Sequence, residues 1–229
     1  MDAGRRRFLG RWGTVATGIA TPLALPRHPR HPLRESRART DGGADEHTAA
    51  KCRSTTGAEN GSGDRTGHER FMRLAVEQAR RNPAWPFGAV IVATRTGRVP
   101  GSGVNSGADS PLLHGEVVAM NDYVRRHGNR GWAATTLYTT GEPCSMCMSA
   151  LVWANVRRVV WAGSIEEIRR TGIVQIALSA HEVAAAARSF YTPELLLGGV
   201  LSDRTDLLFQ EARRLREARA AAHSGDHAA

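Results

Sequence analysis

The pattern of apolar and polar positions changes character near residue 68. From there Phe71, Leu74, Ala75 and Ala79 recur at helical spacing, with Glu69, Arg73, Glu77 and Arg80 between them. That spacing predicts an amphipathic helix of about four turns, which Asn82-Pro83 ends. The run from Phe87 to Thr94 (FGAVIVAT) is continuously apolar up to its last residue, as expected of a strand covered on both faces. Thr96-Gly97 reads as a turn, Arg98–Asn105 as a weaker strand, and 106–113 as a loop containing Pro111. A helix is expected from His114 to His127, a strand over Thr135–Thr140, and a helix over 144–155, with Pro143 at its opening. Arg158–Ala162 reads as a strand, Ile165–Arg170 as a short helix and Val174–Leu178 as a fifth strand. Helices over 180–188 and 203–220 complete the order. Helices alternating with buried strands predict an α/β fold, with three α/β/α layers around a mixed five-stranded sheet.

Residues 1–67 lack this periodicity. Arg5-Arg6-Arg7-Phe8-Leu9 precedes a mild apolar run from Trp12 to Leu25. A charged start followed by a short apolar stretch is the layout of a signal peptide, and the arginine pair with Phe-Leu resembles a twin-arginine export signal. The run is shorter than the roughly 20 residues a spanning helix needs. Residues 1–25 are therefore expected to be a removable signal, 26–67 a disordered linker, and 68–222 the folded domain. The protein is expected in the periplasm or outside the cell, with no membrane contact once the signal is removed; the alternative is a cytoplasmic chain with a basic N-terminus. His28, His31, His47 and Cys52 fall in the linker and are expected to have no role.

The length of 229 residues fits one domain plus an extension. The formal charge of +9 invites a nucleic-acid reading, but its distribution argues against one. Residues 1–40 carry nine arginines against Asp2 and Glu35, and 41–67 carry three basic and five acidic side chains. The remainder carries 19 basic against 15 acidic residues, a net of only +4, with arginine pairs scattered rather than striped. The expected partner is a small molecule. Three cysteines are too few for a disulfide framework.

Two motifs stand at predicted helix starts: His114-Gly115-Glu116 and Pro143-Cys144-Ser145-Met146-Cys147. One imidazole and two thiolates are a ligand set that zinc prefers, and three ligands leave the fourth position for a catalytic water. Cysteines three apart at a helix start can face one ion, and the positive helix end favours their thiolate form. Glu116 is placed to carry a proton between that water and a substrate. A purely structural site would need a fourth ligand, and the one spare cysteine, Cys52, lies in the linker.

H-x-E followed by P-C-x-x-C is the signature of zinc-dependent nucleobase deaminases. With Pro86-Phe87-Gly88-Ala89-Val90, Gly103-Val104-Asn105, the stretch Leu137–Pro143 and the run Ala150–Ala154, the chain over about residues 68–210 resembles the cytidine-deaminase-like superfamily. Within it, guanine deaminases are most similar and tRNA adenosine deaminases next. The resemblance implies one Zn2+ per chain held by His114, Cys144 and Cys147, and Glu116 as the catalytic proton carrier. It implies a base held by Asn105, Phe87, Gly88 and Ala89, with Trp153 as a pocket wall or helix brace. It also implies a homodimer. The expected activity is hydrolytic deamination of a nucleobase or nucleoside, guanine to xanthine and ammonia first. The alternatives are A-to-I deamination of tRNA adenosine, deamination of cytosine or another aminated heterocycle, and a zinc-binding module without activity. Gly115 stands where the superfamily usually has alanine, and is expected to loosen the helix start by under about 1 kcal/mol. Ser145 replaces a common proline, and Leu112-Leu113 alter the pocket's neighbourhood.

Overall fold

The computed structural model describes residues 61–225, with side chains described over 66–222. The signal, most of the linker, and His28, His31, His47 and Cys52 lie outside the described residues. The first helix, α1 (Gly61–Ala79), begins seven residues before the expected start at His68. Five strands follow: β1 (Gly88–Ala93), β2 (Gly101–Val104), β3 (Thr135–Gly141), β4 (Arg158–Gly163) and β5 (Leu195–Leu197). Between and after them come α2 (Gly115–His127), α3 (Ser145–Trp153), α4 (Ile165–Arg170), α5 (Ala180–Ala186) and α6 (Ser202–Gly225). The sheet order is β2-β1-β3-β4-β5. β1 is antiparallel to β2 and β3, while β3, β4 and β5 run parallel. The mixed five-stranded sheet is the expected one.

Side chains on a strand alternate between faces, and here both faces are buried. Ala89 and Ile91 of β1, Leu137 of β3 and Val159 and Trp161 of β4 pack against Ala119 of α2, Met148 and Leu151 of α3 and Ala184 of α5. Their neighbours Val90, Val92, Tyr138, Val160 and Ala162 pack against Met72 and Ala75 of α1. This is why the β1 run is apolar at consecutive positions. Gly88 brings α1 onto the sheet, because a Cβ there would stand 2.3 Å from both the Ala75 carbonyl oxygen and the Ala79 nitrogen. Gly88→Ala should therefore force helix and strand apart. We expect a loss of about 1–3 kcal/mol, read as a fall in Tm of about 2–4 °C per kcal/mol by thermal unfolding.

The fifth strand is not where the periodicity placed it. Val174–Leu178 lies outside the sheet, and Val174 is 94% exposed. Gly172, at φ +81°, turns the chain before this stretch. The edge position beside β4 goes instead to Leu195–Leu197, with Leu195 opposite Arg158. Two backbone bonds fix that register: the Glu194 and Leu195 amides both donate to the Arg157 carbonyl. The Glu194 carboxylate adds ion pairs to Arg157 at 3.0 Å and Arg158 at 2.6 Å. No helix among the described residues is long and apolar enough to cross a membrane.

Candidate active site

The site forms where two helix N-termini meet the C-terminal end of β3. His114 is the N-cap of α2 and Cys144 the N-cap of α3, both with extended backbone and neither using its side chain as a cap. Their side chains turn to each other instead. His114 Nδ1 lies 3.5 Å from Cys144 Sγ and 3.6 Å from Cys147 Sγ, and all three donor atoms fall within 4.8 Å of one another. With Zn–S near 2.3 Å and Zn–N near 2.0–2.1 Å, tetrahedral ligation sets N···S at about 3.6 Å. Both the donor chemistry and the spacing thus fit zinc.

Electrostatics point the same way. The hydrogen bond from Cys147, and then the contact with His114, hold the Cys144 thiol down at about 4. The same bond to Cys144, and then burial, push Cys147 up. The His114 imidazole is raised, first by its hydrogen bond with Cys144. The Cys144 thiolate and the Glu116 carboxyl place negative charge at the site, which a divalent cation would neutralise while favouring the thiolate of Cys147 as well. Two helix N-termini add their positive ends.

Glu116 is the second residue of α2, 3% exposed. Its Oε1 accepts a hydrogen bond from Thr139 Oγ1 at 3.2 Å, and Cys147 Sγ approaches Oε2 at 3.5 Å. Burial first, and then the Cys144 charge, push its carboxyl up to about 7. A carboxyl poised near neutrality can both take and return a proton. Gly115 does more than loosen the helix start. A Cβ there would stand 2.5 Å from the Phe87 carbonyl oxygen, so the glycine lets α2 approach the start of β1. That carbonyl also accepts the Asn105 amide at 2.9 Å.

A cleft of about 630 Å³ opens from His114 and is lined by Asn82, Trp85, Asn105, Pro111 and Arg219 among others. Asn105 therefore borders the same cleft as His114. Its Oδ1 accepts the Gly107 amide at 3.1 Å, which orients the side chain. The other expected base contacts are placed differently. The Phe87 ring packs 5.1 Å from the Phe209 ring, beside Ile168. Gly88 gives its amide to Thr140 Oγ1 at 3.0 Å, and Ala89 is wholly buried in the core. Trp153 ends α3 at 78% exposure, stacked on Phe190. It braces the surface of that helix and does not border the cleft.

Four residues of the site carried no expected role. Thr139 and Thr140 are fully buried hydroxyls on an apolar strand, a placement that demands partners. Thr139 holds Glu116, and Thr140 donates to the Pro86 carbonyl at 2.8 Å. Trp85 borders the cleft. Glu142 precedes the Pro143-Cys144 turn and accepts the Ile165 amide of α4 at 3.0 Å and the Ala180 amide of α5 at 2.8 Å. Glu142→Gln leaves one oxygen to serve two donors. We expect a loss of about 1–3 kcal/mol, measured by chemical unfolding, together with weaker zinc retention against a chelator.

The mixed sheet presents an imidazole, two thiols and a buried carboxylate at two helix starts, the site that the H-x-E and P-C-x-x-C signature of zinc-dependent hydrolytic deaminases builds. Residues 65–163 match the cytidine and deoxycytidylate deaminase zinc-binding region. A guanine deaminase from Bacillus subtilis (strain 168) is 33% identical over 111 residues, 46% of this chain and 70% of that protein. A tRNA-specific adenosine deaminase from Buchnera aphidicola subsp. Schizaphis graminum (strain Sg) is 29% identical over 105 residues, 44% of this chain and 68% of that protein. The solved guanine deaminase from Nitrosomonas europaea superposes with a TM-score of 0.56 at 22% identity, covering 64% of this chain and 84% of that one. This chain belongs to the cytidine and deoxycytidylate deaminase zinc-binding family.

Proposed function

We propose that the protein converts guanine and water to xanthine and ammonia. The observation that carries this reading is the cleft itself. It leads to His114, is walled by Trp85 and Arg219, and has the size of pockets that enclose small ligands. The similarity to the Bacillus guanine deaminase and the modest charge of the folded part support a free base over tRNA. His114, Cys144 and Cys147 would hold zinc, which when bound supplies Lewis-acid activation of a water molecule. Asn105 binds the ring at the cleft wall. Thr139 orients the Glu116 carboxyl through Oε1, and Oε2, on the side of the ligand sulfur of Cys147, carries the proton. As the water oxygen bonds to C2, Glu116 takes one proton from water and delivers it to ring N3; it then takes the proton of the new C2 hydroxyl and gives it to the departing amine. The C2–N bond breaks, and the oxygen from water becomes the new carbonyl. The reading includes a homodimer and export by the twin-arginine signal; both rest on the sequence resemblance. Turnover in 18O-labelled water should give xanthine two mass units heavier, with one ammonia per xanthine. Unlabelled xanthine, or none, would refute the proposal.

A further inference from the structure

Among the described residues lining the cleft, Trp85 brings the only aromatic side chain besides His114. The Phe87 ring, two residues on, is packed against Phe209 instead. Trp85 is 43% exposed, so its ring keeps open surface. The segment that carries it is fixed: the Trp85 amide donates to the Asn82 carbonyl at 3.1 Å, and the Trp85 carbonyl accepts the Phe87 amide at 2.8 Å. Arg216 of α6 fixes the ring itself. Its guanidinium lies over the indole, 4.8 Å from the centroid, and donates to the carbonyls of Ala84 at 2.8 Å and Thr171 at 2.9 Å. Arg216 does not line the cleft. The indole face it covers is therefore turned away from the opening, and the opposite face is the one left toward it.

An indole face held this way is a platform for a second flat ring. Stacking needs only a π-face, which every nucleobase has, and it holds a base without reading its edges. A guanidinium on the far face is a favourable partner for the indole and leaves the near face open. Because backbone and ring are already fixed, binding costs little further side-chain freedom. Edge contacts fall to other groups of the same cleft, Asn105 and His114. We infer that Trp85 is the surface on which the substrate's ring stacks, with Arg216 as its positioning residue. This rests on the cleft taking a planar base, guanine in the reading above.

The test is kcat and KM for the zinc-loaded full chain, Trp85→Leu, Trp85→Phe and Arg216→Met, on guanine or on whichever of adenine and cytosine the unaltered chain deaminates. Leucine keeps apolar bulk but has no π-face. Trp85→Leu should raise KM by about 5–150-fold, the effect of losing one base–aromatic stack, with kcat and zinc content little changed. Trp85→Phe should recover most of that loss. Arg216→Met should raise KM by less, and should add nothing in the Trp85→Leu background, because it acts through the ring. If the leucine variant does not fold, indole fluorescence carries the test: xanthine should quench it in the unaltered chain and quench it less in Trp85→Phe. An unchanged KM in Trp85→Leu, equal losses in the leucine and phenylalanine variants, a loss in kcat alone, or equal quenching would overturn the inference. A chain active on another base but not on guanine would sink only the substrate reading, and one active on guanine but indifferent to Trp85 only the inference. A chain inactive on every base would sink both.

Discussion

Glu116→Gln should abolish turnover and leave the zinc in place. The substitution keeps the shape and the bond from Thr139 but removes the group that takes and returns the proton. Losing a positioned general acid–base group lowers the rate by about 10²–10⁴-fold. Here one carboxyl serves several proton transfers, so the upper end of that range is expected. Glu116 is fully enclosed, so bulk water cannot readily stand in for it. Steady-state ammonia release together with zinc analysis of the same sample checks this. A variant that keeps its zinc and a tenth of its rate would show that another group moves the proton.

Cys147→Ser should have an effect as large, by another route. Cys147 is buried at the first turn of α3, 3.6 Å from His114 Nδ1. Serine is nearly isosteric but replaces a soft thiolate with a weak hydroxyl donor, leaving too few thiolates for stable zinc ligation. Zinc content should fall from one per chain to below about a tenth, and the rate by more than about 10³-fold. Metal binding also stabilises the folded state by mass action. A chelator should therefore lower the Tm of the unaltered chain but not that of the variant. Full zinc content in Cys147→Ser would remove this residue from the ligand set.

The parts of the fold written in local pattern were legible in the sequence. The β1 run, the two motif helices and the ligands His114, Cys144 and Cys147 need only spacing and residue type. The parts decided by distant contacts were not. Val174–Leu178 has the composition of a strand, but the β4 edge is taken by Leu195–Leu197 through the Arg157–Glu194 contacts. Phe87 is named by its motif, yet where its ring lies is set by Phe209, more than a hundred residues away. Trp153 has the character of a core or pocket residue, and only the end of α3 leaves it outside. Arg219 is one of 31 basic residues, and nothing in its local sequence separates it from the solvated ones. Thr139 was readable in part: a threonine inside a strand buried along its whole length needs a hydroxyl partner, and Glu116 is that partner.

The most direct test is ammonia release by the zinc-loaded full chain from guanine, adenine, cytosine, their nucleosides and a tRNA anticodon stem-loop. The expected result is release from guanine, with the other substrates slower by at least about tenfold to a hundredfold, the discrimination one well-made base contact supplies. Release from the stem-loop alone, or from none of them at full zinc content, would contradict it.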